Sequence, residues 1–180
     1  IPLLGDDYVK GWDPMFFQES IINGKMLFAP WVGIPTGILY RKDLWAAAGN
    51  PAFPKTWDDF LSVAKKLTVD TDKDGKIDQY GWAIVGTPNG SGQGRFSQVV
   101  RNSGGYNYRE TAAGKWESGA MTKGYLDALT LYQDAVKEGV VPPGYTSTGY
   151  PEASAQIANG KGVMMITGPH SLGIIMKANP

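Results

Sequence analysis

The 180-residue chain sets 17 Lys and Arg against 17 Asp and Glu, a formal net charge of +0, so no global field draws it to nucleic acid or anionic lipid. Cysteine is absent, which excludes disulfides, thiolate catalysis and thiolate metal sites. No apolar run approaches the roughly 20 residues of a membrane-spanning helix, and the length suits one well-buried core or one lobe of a larger body.

The opening, IPLLGDDYVKGW, has no basic n-region and no apolar stretch with a cleavage site, so it does not read as a signal peptide. It reads as the interior of a longer chain, and MKANP at the other end gives no natural closure, so a fragment is expected. GILY (37–40) is the first strand candidate, followed later by YGWAIV (80–85) and GVMMIT (162–167). TWDDFLSVAKKLT predicts a helix capped by Thr56 with Asp59 at its third position and Phe60, Val63, Ala64 and Leu67 on one face. RFSQVVRNSGG predicts a second helix stopped by Gly104. TKGYLDALTLYQDAVKEG predicts the longest, with Leu126, Leu129 and Ala135 or Val136 as its apolar stripe and Gly139 as its end. EASAQIANG predicts a last helix that ends at Gly160 and feeds straight into the GVMMI strand. GTPNGSGQG (86–94) and VVPPGYTSTGYP (141–151) are too polar and too glycine-rich for a core and are expected at a surface, the wall of a cleft being the useful case. Apolar runs alternating with amphipathic stretches favour a mixed α/β or α+β lobe.

VDTDKDGKIDQYGW (69–82) carries a hard-cation pattern. Asp70, Asp72 and Asp74 place carboxylates at alternate positions and Gly75 permits the sharp turn. Lys76 offers its backbone carbonyl, and Asp78 falls at the ninth position. The twelfth position, where an EF-hand has a bidentate Glu, is Gly81, and YGWAIV beyond it reads as a strand instead of a helix. Calcium here would brace a turn without performing chemistry; the alternative is a solvated Asp/Gly turn between helix and strand.

Other chemistries are poorly served. His170 is the sole histidine, so any Ser-His-Asp arrangement must pass through it. GPHSLG has a serine beside it in sequence, but no G-x-S-x-G elbow is present. One histidine and no cysteine leave little for zinc. GSGQG lacks the Lys-Ser/Thr of a P-loop and reads as a flexible turn. Aromatics remain. Trp31, Trp82, Phe96, Tyr106, Tyr108, Tyr145 and Tyr150 lie in or beside the loops, and flat rings flanked by Gln, Asn, Arg and Asp suit sugars. For each ring the alternative is core packing, an alternative weakest at Trp31 and Tyr106.

The order of motifs resembles a known family. NGKMLFAPWVGIPTGILYRKDLWAAAG, FPKTWDDFLSVAKKL, SGGYNY, ALTLYQDAVKEGVVPP and ANGKGVMMITGPH, over nearly all of residues 23–171, resemble in sequence order the segments of maltose-type extracellular solute-binding proteins. The resemblance implies one α/β lobe of a two-lobed, periplasmic-binding-protein-like fold, a mixed sheet flanked by helices. Residues 1–36 would form the edge of the first lobe and the interlobe crossing, 37–167 the second lobe, and 168–180 a segment lining the cleft. It implies non-catalytic binding of a sugar or oligosaccharide for delivery to the membrane subunits of an ABC importer, outside the cytoplasm, in a periplasm or at a lipid anchor. Some members carry a calcium loop after the TW helix, where DTDKDGKID stands, which favours structural calcium on Asp70, Asp72, Asp74, Lys76 and Asp78.

In that family an aromatic after GP stacks on the sugar; His170 takes this place. Trp31, after Pro30, and Thr36 are cleft candidates by the same likeness. Gln93, Arg95 and Phe96 stand where members place ligand contacts before the GG turn, and Tyr106 follows that turn. For Arg95 a surface charge at a helix start is the plain alternative. Two rival readings belong to other classes. One is a calcium-dependent extracellular glycoside hydrolase or carbohydrate-binding module, with Asp13, Glu110, Glu117 and Glu152 as carboxylate candidates. The other is an adhesive or structural module. A lobe without its partner would also expose apolar surface suited to dimerisation.

Overall fold

A computed structural model describes residues 5–18, 20–22 and 24–179, which fall into two units dividing after Pro35. The first unit holds helices α1 (Gly5–Lys10) and α2 (Met15–Gln18) and a minimal hairpin of β1 (Ile21–Ile22) against β2 (Lys25–Met26). Trp12 meets Phe16 edge-on at 5.4 Å, Phe17 and Ser20 are buried, and the Tyr8 hydroxyl donates to the Pro30 carbonyl.

The second unit begins at Thr36. Its order is β3 (Gly37–Tyr40), α3 (Lys42–Ala47), α4 (Trp57–Lys66), β4 (Tyr80–Trp82), α5 (Gly90–Asn102), β5 (Tyr108–Ala112), β6 (Lys115–Ser118) and α6 (Lys123–Lys137). A short 3₁₀ turn (Tyr145–Ser147), α7 (Tyr150–Ala158), β7 (Gly162–Thr167) and α8 (His170–Ala178) complete it. The last strand in sequence is the middle strand in space: β7 lies antiparallel to β3 on one side and parallel to β4 on the other. All six of its residues are buried, as a strand covered on both faces requires.

Two-residue alternation assigns the faces. Ile38, Tyr40, Trp82, Ile84, Met164 and Ile166 join the cluster built with Phe60, Val63 and Leu67 from α4, Val99 and Val100 from α5, and Ala128 and Leu131 from α6. Leu39, Ala83, Val85 and Met165 face the opposite way, onto Ala153 and Ile157 of α7 and Ile175 of α8. Trp82 is fully enclosed, edge-on to Phe60 at 5.1 Å and to Tyr132 at 5.0 Å, which makes it a core residue and not a cleft residue. The fold is thus the α/β lobe with a mixed, helix-flanked sheet that the motifs imply, and residues 168–179, which contain α8, belong to the same unit.

Local signals explain most boundaries. The Thr56 side chain accepts from the Asp59 N–H at 3.1 Å while the Asp59 carboxylate accepts from the Thr56 N–H at 3.2 Å, a complete capping box. The expected stops Gly104, Gly139 and Gly160 all take left-handed φ values, +77°, +67° and +80°.

Five expectations need correction. β4 ends at Trp82, although Ala83–Val85 continue buried alongside β7 through an Ala83 N–H to Met164 carbonyl bond of 2.8 Å. GSGQG is no flexible turn: Gly90–Gly94 are the first turns of α5, because the Asn89 carbonyl oxygen Oδ1 accepts from the N–H groups of Ser91 and Gly92 at 3.0 and 3.2 Å. The buried face of α6 is Gly124, Ala128, Leu131 and Ala135, while Leu126 and Leu129 stay 42% and 47% exposed. A Cβ on Gly124 would fall 2.3 Å from the Gly105 nitrogen, so close approach of the two chain segments turns the small residues inward. Val141 and Pro142 are buried, so the proline-rich loop roots itself in the core before it surfaces. Helix α3 and the β5–β6 hairpin fell outside the predicted elements.

Candidate functional site

Parallel strands carry ligand sites at their carboxyl ends, where following helices begin. In this unit the carboxyl end of β7 leads through Gly168 and Pro169 into α8, whose first residue is His170. The backbone beyond β4 reaches Gly86 and Thr87, whose N–H groups both donate to the Thr148 carbonyl (2.9 and 3.2 Å), bringing the start of α7 beside it.

Arg95, one turn into α5, lies across this end. Its Nε donates to the Ile166 carbonyl at 2.9 Å, Nη1 to Ser91 O and Oγ at 3.0 and 2.8 Å, and Nη2 to Thr167 Oγ1 at 3.1 Å. Thr167 Oγ1 lies 2.6 Å from Ser171 Oγ, which lies 3.0 Å from the Tyr150 hydroxyl. The Arg95 guanidinium covers the Tyr150 ring at 4.9 Å, so the contacts close into a ring of four residues from α5, β7, α8 and α7. His170 stands at its edge, 5.6 Å from Tyr150 with ring planes 36° apart. Burial lowers the Arg95 pKa from its ordinary value, opposed by the neighbouring Tyr150 and Tyr132 phenols. Desolvation pushes Tyr132 up. Arg95 is anchored by its own helix, β7 and α7, and Ser171 of α8 closes the ring, so the constellation is held without a loop having to order.

Arg95 and His170 therefore share one surface through Tyr150. Thr36 lies in a neighbouring concavity of about 520 Å³ with Phe53, Trp57, Gln98, Asn102 and Ile166, whose carbonyl also receives Arg95. Gln93 and Phe96 do not join them. At 100° per residue Gln93 points nearly opposite to Arg95 on α5 and Phe96 about a quarter-turn from it, and both line a separate cavity of about 440 Å³ toward α6 with Tyr132 and Gln133. Phe96 packs edge-on against Tyr125 and Tyr132 at 5.2 and 5.4 Å, tying α5 to α6. Tyr106 sits at the root of the hairpin, beneath Arg109 at 4.4 Å with its hydroxyl on Glu117, a bond that raises its pKa and lowers that of Glu117. Trp31 belongs to the first unit, where it is 91% exposed. Ser91, Thr167 and Ser171 were missed by sequence reasoning, and Tyr150 was noted only as a loop aromatic; the signal for it was its place at the start of a helix beside a glycine-rich loop.

The acidic loop closes through an antiparallel bridge between Val69 and Gln79. Carboxylate oxygens of Asp70, Asp72 and Asp78 lie within 4.8 Å of one another. Asp70 also accepts from the N–H groups of Lys73 (2.7 Å) and Gly75 (2.8 Å), and Gly75 makes the sharp turn with φ +91°. Asp74 turns its Oδ1 to the Lys76 N–H at 2.8 Å and stays outside the converging set. The twelfth position cannot hold a carboxylate. Gly81 lies in β4, where any Cβ would strike the Ala64 carbonyl at 2.1 Å. Three oxygens converge from a short segment, which fits a hard cation that completes its shell with carbonyls and water.

The carboxylates considered for hydrolysis are each engaged locally. Glu110 accepts from Gly114 N–H, Glu117 from Tyr106 and Arg109, Glu152 from Gly149 N–H, and Asp13 from Met15 N–H. Among the described residues of the second unit, Glu110, Glu117 and Glu152 make no bond to Arg95.

A family model described as bacterial extracellular solute-binding protein matches residues 2–180. A Brucella abortus protein described as a binding protein is 26% identical over 167 residues, covering 92% of this chain and 38% of its own length. The diacetylchitobiose binding protein DasA of Streptomyces coelicolor is 33% identical over 61 residues, 34% of this chain and 14% of that protein. The crystal structure of an ABC transporter solute-binding protein from Thermotoga lettingae, bound with α-D-tagatose, superposes with a TM-score of 0.73 at 25% identity, covering 97% of this chain and 45% of that one. The chain spans less than half the length of these relatives.

Proposed function

We propose that this chain, which belongs to the bacterial extracellular solute-binding proteins, supplies the second of two lobes that close on a sugar and present it to the membrane subunits of an ABC importer. The observation that carries the reading is the ring of contacts among Arg95, Thr167, Ser171 and Tyr150, with His170 at its edge, at the carboxyl end of the sheet. It offers a rigid aromatic face and fixed donors without a paired acid and base or a nucleophile with its base, which is the equipment of a binding site. A ligand gripped from both sides stabilises the closed form by the difference between its contacts in the two states. One lobe makes only part of those contacts, so the 180-residue chain alone binds weakly.

Titration calorimetry with mono- and oligosaccharides tests this on the chain and on a version carrying the flanking coding sequence. The longer version should bind a saccharide far more tightly than the chain does; micromolar or tighter binding by the chain alone would contradict the two-lobe account. Sustained turnover of an aryl glycoside, lost in a Glu110→Gln or Glu152→Gln variant, would favour the hydrolase instead.

The acidic loop belongs to the same proposal as a structural calcium site. Asp70, Asp72 and Asp78 would hold the ion, and the Val69–Gln79 bridge would pass its rigidity to the start of β4. The family supports an extracytoplasmic location, and the proposal places the protein there, free or lipid-anchored.

A further inference from the structure

The four-residue ring has hydrogens to spare and few places to put them. Arg95 carries five N–H groups and uses four on Ile166, Ser91 and Thr167, which leaves one on Nη2 without an acceptor among the described residues. Thr167, Ser171 and Tyr150 supply three hydroxyl hydrogens for two links, so one hydroxyl hydrogen is also left over. Thr167 is 4% exposed and Ser171 0%, so leaving it on either would orphan a donor in the interior. Arg95 only donates, so Thr167 must accept from it, and a hydroxyl polarised in that way is a better donor to the next. The chain of bonds therefore runs from Arg95 to Thr167 to Ser171 to Tyr150, and the half-exposed phenol turns its O–H outward.

What this surface presents is thus a guanidinium N–H and a phenol O–H. No described carboxylate forms a salt bridge with Arg95, and burial and two tyrosines, not an acid, govern its proton affinity. Glu152, the acidic residue nearest along α7, is turned to the Gly149 N–H at 3.0 Å. An alcohol placed here satisfies the donors but brings no charge, and must pass its own hydrogen to solvent or to His170 at the edge of the ring. A carboxylate accepts from both and neutralises the half-buried charge.

Resting on the sugar-binding reading above, we infer that the group facing this lobe is a carboxylate, so the ligand is an acidic sugar of the uronate class. Tyr150 and Arg95 set that specificity, with Thr167 and Ser171 as positioning residues.

The test is an NMR titration of ¹⁵N-labelled chain with galacturonate, glucuronate, digalacturonate, galactose, glucose and glucose 6-phosphate. At least one uronate should bind about tenfold more tightly than its neutral counterpart, the value of one added hydrogen bond to a charged group. That margin should shrink as salt is raised. Tyr150→Phe keeps the ring under the guanidinium and removes the hydroxyl; it should cut the uronate affinity several-fold, and because buried Ser171 loses its acceptor it should also melt somewhat earlier while staying folded. Arg95→Lys, which keeps a charge but loses the fork, should cut it further. Neutral sugars binding as tightly as uronates would overturn the acidic assignment while the sugar-binding reading stands. Glucose 6-phosphate outbinding every uronate would overturn the carboxylate. The same panel is run on the version carrying the flanking coding sequence: if that version binds neutral sugars but no uronate, this inference fails alone, and if it binds no saccharide at millimolar concentration, the reading beneath it fails as well.

Discussion

Gly81 is where the acidic loop, helix α4 and the sheet meet, and replacing it with alanine is the sharpest test of the packing. Its N–H donates to Thr68 Oγ1 at 2.9 Å, and that hydroxyl donates to the Ala64 carbonyl at 2.8 Å. A Cβ at Gly81 would lie 2.1 Å from Ala64 O and 2.5 Å from Ala64 Cα. Both are backbone atoms of a helix whose next inward residue, Leu67, is fully buried, so α4 must move by about 1 Å or β4 must detach from β7. Overpacking against atoms that cannot swing aside costs about 3 kcal/mol, at the upper end of the usual range. For a unit of this size that lowers the melting temperature by about 6–12 °C. Gly94 supplies the control: within α5, with nothing within 4 Å of an added Cβ, Gly94→Ala should gain about 0.5–1 kcal/mol. Circular-dichroism melts and urea titrations of both variants measure the contrast. A Gly81→Ala protein melting within about 2 °C of its parent would refute the reasoning.

Calcium at a hundredfold excess over its Kd should stabilise the protein by about 2.7 kcal/mol in scanning calorimetry. Asp70→Asn should abolish the shift and Asp74→Asn should leave most of it, since Asp74 lies outside the converging oxygens; equal loss in both would reject the assigned ligands. Arg41 holds Asp43 by two bonds of 2.8 and 2.6 Å, which depress the carboxyl pKa to about 2. At 60% exposure, screening keeps the stabilisation below about 1 kcal/mol. The lowered pKa places that gain above pH ~4 and removes it as pH falls through about 2. Parent and Asp43→Asn should therefore differ at neutrality and converge near pH 2, and an unchanged gap at pH 2 would refute the pairing. Thr56→Ala breaks the capping box and should cost about 1 kcal/mol by urea midpoint.

What could be foreseen from sequence was what local chemistry decides. A cap such as Thr56–Asp59, a stop such as Gly160 and an all-apolar run such as GVMMIT each state their structure within a few residues. What escaped was decided by contacts between distant segments. On α6, Leu126 and Leu129 fit a helical stripe as well as Ala128 and Leu131 do; only the approach of Gly105 to Gly124 selects the second. The candidate site divides along the same line. Arg95 and His170 stood out from their neighbours, but that Tyr150 would join them, and that Gln93 and Phe96 would turn away from Arg95 into another cavity, required the helix to be capped at Asn89. Low helix propensity in GSGQG concealed that start, and the cap and the close seat of Gly92 on Thr87 outweighed it.

The central position of β7 has a consequence for how the protein is made. Its two sheet partners, β3 and β4, leave the ribosome first, and β3 precedes its partner by about 120 residues. At ordinary elongation rates of about 5–20 residues per second, that strand waits roughly 6–24 s with its backbone groups unmatched. No nascent chain short of Thr167 can assemble the sheet. Premature termination between β3 and β7 releases unpaired strand edges, so a holding chaperone has a defined window in which to act, and it closes with the arrival of six consecutive buried residues.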